Sequence, residues 1–111
     1  MDVKTTLEWR EQQGSRTWEY AKELVDEANS TREGGHNDWR LPTRAELLQL
    51  YGTDQAPDGG FFWTSDVCDD TPGCAWVVDF LVGRAYKNFY RTWAYVRLVR
   101  SVVTTKPDPT P

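Results

Sequence analysis

A chain of 111 residues with a net charge of −4 makes one domain, large enough to bury roughly two thirds of its unfolded surface without extra staples. Six Trp, five Tyr and four Phe against a single Met point to flat rings packed among short elements rather than to a Leu- and Ala-rich helical bundle. No apolar run approaches the ~20 residues of a membrane-spanning helix, no charged-then-apolar leader precedes the domain, and an acidic chain without a basic stripe or a known module gives no support to nucleic-acid binding.

In chain order, Thr5 to Arg10 alternates and reads as an opening strand, broken by Gln12-Gln13-Gly14-Ser15. A helix follows from an N-cap at Thr17 to about Asn29, with Trp18, Ala21, Val25 and Ala28 on one face and Leu24 beside them. Residues 30–38 are a glycine-containing loop, and Trp39-Arg40-Leu41 is too short for more than a bridge. Thr43 and Glu46 form a capping box that starts a second helix, about Arg44 to Tyr51. Beyond the loop 52–60 the apolar period shortens to that of strands: Phe61–Ser65, Ala75–Phe80, Arg84–Phe89 and Ala94–Arg100. Two helices followed by a strand meander predict an α+β domain over residues 1–103, with the helices on an antiparallel sheet and the termini close together. Residues 104–111 read as a polar, Pro-spaced tail that cannot pack a core.

The charge is unevenly spread. Residues 1–79 hold sixteen acids and seven bases, a balance of −9, while residues 80–111 hold six bases and one acid, a balance of +5. A basic face for acidic partners is one reading; the spread of the bases along a strand pattern favours the other, internal balance between neighbouring strands.

Few residues offer reactive chemistry. Cys68 and Cys74 flank the turn Asp69-Asp70-Thr71-Pro72-Gly73, which brings the sulfurs within reach of each other, so a loop disulfide and a pair of free thiols both remain open. Two Cys without accompanying His make a poor zinc site, and a redox pair more often shows the Cys-x-x-Cys spacing. His36 is the sole histidine; its loop names no nucleophile or acid beside it, which favours a structural role. Asp66, Asp69 and Asp70 lack EF-hand spacing and read as an exposed acidic loop rather than a calcium site. No metal or other cofactor is expected.

Several motifs together carry a resemblance: Thr17-Trp18-Glu19-Tyr20-Ala21; Gly34-Gly35-His36-Asn37-Asp38-Trp39-Arg40-Leu41-Pro42-Thr43 with Glu46-Leu47; Phe62-Trp63-Thr64-Ser65; Ala75-Trp76-Val77-Val78-Asp79-Phe80; and Tyr95-Val96-Arg97-Leu98-Val99-Arg100. Their order and spacing over about residues 5–102 resemble the bacterial family named for the C-terminal domain of a Legionella collagen-like adhesin, the Lcl domain. The Gly-Gly-x-x-Asp-Trp-Arg-Leu-Pro-Thr run is the specific element. The resemblance implies a C-type-lectin-like fold and a surface or secreted module that binds other molecules, glycans included, on a cell or a phage particle as part of a larger protein. Related domains serve as variable receptor-binding proteins of diversity-generating retroelements. Many members carry a Cys in the first helix and another in the last strand; Val25 and Leu98 stand at the matching positions, where an apolar pair would replace the staple. The sugar-binding tripeptides of calcium-dependent animal lectins are absent.

The segment 81–93 is far more aromatic and basic than the Asn- and Gly-rich stretch the family resemblance implies there. Tyr, Trp, Phe and Arg are the usual anchors of interfaces, and neither parity set of this strand is uniformly apolar. The expected ligand face is therefore Arg84, Tyr86, Asn88 and Tyr90, with Arg91 and Trp93 at the bend, Leu81 at its start, and help from the 66–73 loop. The opposing expectation is that one parity set, such as Lys87 and Phe89, turns inward as core. The leading function is a non-catalytic module that recognises a protein or a glycan. The alternatives are a self-assembling structural or fibre-capping module and, lower, a relative of the formylglycine-generating oxidases, which would need reactive cysteines in a metal-binding cleft.

Overall fold

A computed structural model describes residues 3–105. The elements in chain order are β1 (Val3–Trp9), β2 (Gln13–Arg16), α1 (Trp18–Ser30), a short 3-10 turn (Glu33–Gly35), α2 (Arg44–Leu50), β3 (Phe61–Val67), β4 (Cys74–Asp79), β5 (Arg84–Phe89), β6 (Ala94–Val96) and β7 (Val99–Thr105). The architecture is α+β, compatible with a small C-type-lectin-like domain. No helix among the described residues is long and apolar enough to cross a membrane.

The strands form two sheets. β1 and β7 pair antiparallel in an unbroken register from Val3↔Thr105 to Trp9↔Val99, which brings the two ends of the described chain together. The second sheet runs β2-β6-β3-β4-β5. Its β3-β4-β5 meander is antiparallel, but β6 returns across the sheet to lie parallel to β3, at Phe62↔Tyr95, so the sheet is mixed rather than wholly antiparallel.

Three differences from the sequence-based expectation have physical causes. The Gln-Gly-Ser break contains strand β2, held by pairing with β6 at Gln13↔Val96 and Arg16↔Ala94, a tertiary contact that overrides weak local propensity. The single strand expected over Ala94–Arg100 is two strands in different sheets. Leu98 and Val99 are both buried, which strict alternation forbids, and the Arg97 side chain turns away to donate to the carbonyls of Arg10 (2.8 Å) and Gln55 (3.0 Å). Finally, β7 continues through Thr104 and Thr105, so the expected tail boundary after residue 103 falls inside a strand; the remainder, 106–111, lies outside the described residues.

The central strand β3 is covered on both faces. Trp63 joins Trp18, Ala21, Trp39, Ala75, Val77, Val96 and Leu98 under α1, while its neighbour Phe62 joins Leu47, Leu50, Val78 and Phe80 under α2. Leu98 is buried in the α1 cluster, and Val25 packs, partly buried, against that cluster. A buried indole needs a partner for its N–H, and each core Trp finds a carbonyl: Trp18 that of Thr64 (3.0 Å), Trp63 that of Arg16 (2.7 Å) and Trp39 that of Glu33 (2.8 Å). Thr64, itself buried, donates to the Trp76 carbonyl at 2.8 Å and accepts from the Asp66 amide at 3.1 Å, within the stretch where the β3–β4 register shifts.

The capping box forms as expected: Thr43 Oγ1 accepts from the Glu46 amide (3.2 Å), and Glu46 Oε1 accepts from the Thr43 amide (2.9 Å). The same carboxylate receives both guanidinium nitrogens of Arg40 at 2.8 Å each. Those bonds outweigh partial burial and hold the Glu46 carboxyl below the usual glutamate range. A lowered folded-state pKa stabilises the fold above the unfolded value, and that contribution disappears as pH falls through the folded value. Two outcomes are expected from urea denaturation. Thr43→Ala lowers stability by about 1 kcal/mol. Between neutrality and a pH below about 4.5, the native chain loses more stability than Glu46→Gln does, because the Gln variant has no carboxylate to protonate.

Candidate ligand-binding surface

The β4–β5 hairpin sets the geometry of the expected ligand face. Its register is regular over six consecutive pairs, among them Asp79↔Arg84, Val77↔Tyr86 and Ala75↔Asn88. Because side chains alternate across a strand, Arg84, Tyr86 and Asn88 share one face, as the sequence indicated, while Ala85, Lys87 and Phe89 take the other. The connecting turn is fixed at Gly83, whose φ of +72° suits glycine; a Cβ there would meet the Tyr51 ring at 2.6 Å.

On the Tyr86 face lies an open groove of about 580 Å³, lined by Phe61, Val77, Asp79, Tyr86, Lys87, Asn88, Thr92 and Trp93. Phe61 meets the edge of Tyr86 with ring centroids 6.3 Å apart. Trp93 is 63% exposed, Phe61 47% and Tyr86 42%. Asp79 spends one oxygen on the Leu81 amide (2.9 Å). Three rings and a few polar groups around an open depression of this size match the usual make-up of a binding site.

Not every expected residue belongs to it. Tyr86, Asn88 and Trp93 line it, whereas Arg84 shares the Tyr86 face of β5 but stands outside the lining. Tyr90 does not line it either: past the end of β5 its ring stacks on Trp18 at 4.3 Å with planes 13° apart, and its carbonyl accepts from the Trp18 amide at 2.9 Å. The parity argument carried the strand one residue too far: Tyr90 is half-buried on Trp18 and lines the depression beside Arg91 instead of the groove. Arg91 is exposed beside Pro72, Gly73, Phe89 and Tyr90, a separate shallow depression next to the 66–73 loop. Leu81 sits at the tip of the β4–β5 turn, outside the groove. The inward set proposed as core is not core either. Phe89 is 55% exposed, and Lys87 reaches Asp70 with 2.8 and 2.9 Å contacts; only Ala85 packs, against the α2 cluster.

Phe61 was missed. The Phe61-Phe62 doublet held the signal, since adjacent strand residues face opposite ways and Phe62 occupies the core.

The remaining candidates are engaged in structure. His36 lies edge-on to Trp39 at 6.3 Å. Asp66 accepts from the Arg44 amide at 2.7 Å and faces its guanidinium at 3.6 Å. Lys87 and the Thr71 hydroxyl hold the Asp70 carboxyl below the usual aspartate range. Of the two states left open for the cysteines, the structure shows the disulfide Cys68–Cys74, with Cα atoms 5.3 Å apart and the Cys68 amide bonded to the Cys74 carbonyl at 2.9 Å.

Fold and surface together describe a small α+β domain whose core takes in Trp39, Leu41 and Pro42 of the Gly-Gly-x-x-Asp-Trp-Arg-Leu-Pro-Thr run and whose β4–β5 face carries an open aromatic groove. The chain belongs to the Lcl C-terminal domain family, which matches residues 1–100. No curated protein matches it.

The division between packing and surface is measurable by urea denaturation. Tyr90→Ala is expected to cost about 2 kcal/mol through the lost stack on Trp18, whereas Trp93→Ala and Tyr86→Ala stay within about 0.5 kcal/mol of the native chain. Cys68→Ser/Cys74→Ser is expected to cost about 2 kcal/mol, the closure entropy of so short a loop, with the fold retained.

Proposed function

We propose that this domain is a non-catalytic ligand-binding module, adhesin-like or receptor-binding, that recognises a protein or glycan on another cell through the groove between Phe61, Tyr86 and Trp93. The observation that carries the reading is the exposure of those three rings around one depression that also holds Asp79, Asn88 and Thr92. Aromatic faces offer large contact area for little lost rotamer freedom, and carboxylate, amide and hydroxyl groups at the rim supply orientation. Membership of the Lcl C-terminal domain family is consistent with a binding role. Two observations support a non-catalytic reading. The cysteines on which an oxidase reaction of the formylglycine-generating type would depend are bonded to each other, and the sole histidine packs against Trp39. A structural, self-assembling role is the second reading; it draws on Leu81 and Val82, 73% and 49% exposed at a single turn.

A glycan array run beside a pull-down of host-cell surface proteins tests the primary reading. Whatever ligand the native domain retains should bind about tenfold or more weakly to Trp93→Ala and Tyr86→Ala. A ligand held equally well by both variants sinks the groove. Concentration-dependent association in light scattering, abolished by Leu81→Ser, would favour the assembly reading.

A further inference from the structure

β5 is one edge of the five-stranded sheet, and it is unusually well formed for an edge. Its opposite number, β2, has four residues and a register shift between Gln13 and Arg16, the short and irregular form that discourages pairing. β5 instead keeps six consecutive register pairs with β4, from Asp79↔Arg84 to Cys74↔Phe89, with no bulge and no Pro or Gly within it. The Tyr90 amide bonds to the Gly73 carbonyl (2.9 Å), and the Cys74 carbonyl accepts on the β3 side from Cys68 (2.9 Å). Antiparallel alternation from these points turns the N–H and C=O groups of Ala85 and Lys87 away from β4, toward the open edge. Lys87 is the lysine expected to guard such an edge, but its ammonium is drawn to Asp70 at 2.8 Å and toward the Trp76 ring at 5.7 Å.

The segment that forms this edge carries charge of one sign, with Asp79 and Asp70 supplied from outside it. Residues 81–93 contain Arg84, Lys87 and Arg91 and no acid. Among the described residues Lys87 alone of the three has an ion-pair partner. Two copies joined edge to edge would align these bases along one seam. An added strand with carboxylates would neutralise them and send alternate side chains over the groove.

We infer that the β5 edge receives an extended, acid-bearing peptide segment of a partner protein, which adds to the sheet as a further strand. This rests on the groove reading above and narrows its ligand to a polypeptide. Main-chain bonds to Ala85 and Lys87 supply affinity. Arg84 and Arg91 select for acidic sequences, and Tyr86 and Trp93 select the side chains facing the groove.

The test uses the full chain and a synthetic array of nine-residue linear peptides in acid-rich, neutral and base-rich series. Acid-rich peptides should bind best and weaken several-fold as salt rises from about 50 to 300 mM. The best binder, resynthesised with N-methyl amides at alternate positions, should lose about tenfold or more in one phase and far less in the other. Hydrogen exchange of the Ala85 and Lys87 amides should slow at least about tenfold on saturation with the unmethylated peptide. Equal binding by both methylated phases, or unchanged exchange at these two amides, overturns strand addition; if that binding still falls in Trp93→Ala, the groove reading stands without it. Protection of both amides with full affinity in Trp93→Ala and Tyr86→Ala supports the strand and sinks the groove. A glycan as the retained ligand, or a dimer of the free chain that protects the same two amides, also overturns the inference.

Discussion

The dipeptide Trp39-Arg40 is the point to which the separate parts of the fold are tied. The Asn29 side chain, near the end of α1, brackets the Trp39 backbone, donating to its carbonyl at 2.9 Å and accepting from its amide at 2.7 Å. The Arg40 backbone exchanges both bonds with Val99 of β7 (2.9 and 3.0 Å). Its guanidinium clamps Glu46 of α2 with two 2.8 Å bonds and reaches the Ser101 hydroxyl at 2.9 Å. An exposed ion pair contributes little, about 0–1 kcal/mol, but this one is part-buried, bidentate and shared with a helix cap, so its members position one another. Two helices and the β1–β7 ribbon thus acquire their relative placement from one short stretch, while Arg10 closes over the Trp39 ring at 5.4 Å and pairs with Glu33.

With α1 and α2 fixed, burial declines across the sheet from β3 outward. Phe62, Trp63 and Thr64 are fully buried; β4 keeps Ala75, Val77 and Val78 in the core; β5 contributes only Ala85, and that partly. The exposed rings of the groove accordingly sit where burial is least, Tyr86 on β5, Phe61 at the start of β3 and Trp93 in the turn past β5. Changes there remove little buried area, so the surface is free to vary in chemistry without a large cost in stability. Tyr90 marks the limit of that freedom, since its stack on Trp18 returns the chain to the core just past the strand.

What the sequence revealed was local. The Thr43–Glu46 box, the α1 face and the strands β3, β4 and β5 depend on residues within a few positions of one another, and the structure places them as read. What it hid was set at a distance. The break at Arg97-Leu98 requires the carbonyls of Arg10 and Gln55, and β2 exists because β6 lies beside it. Asn29 looked like an ordinary helix-end residue, with nothing local to announce its grip on Trp39 ten positions on. Within the site, parity correctly grouped Arg84, Tyr86 and Asn88 but gave no warning that the strand ends before Tyr90, or that Phe61 from β3 completes the groove. The cysteine spacing permitted a bond; the β3–β4 hairpin closes it.

The uneven charge of the chain now resolves by strand rather than by half. Arg100 is held between Asp38 (2.7 Å) and Glu8 (2.9 Å), and this pairing lowers the Asp38 carboxyl. Arg97 is satisfied by carbonyls instead of acids, and its burial weakens its hold on the proton. Lys87 belongs to Asp70. Internal balance therefore accounts for Arg100 of β7 and Lys87 of β5, and it leaves over Arg84 at the start of β5 and Arg91 two residues past its end. A six-residue strand spans roughly 20 Å, more than twice the screening length of about 8 Å at physiological salt. These cations are therefore screened from each other and present two separate charges rather than one basic patch.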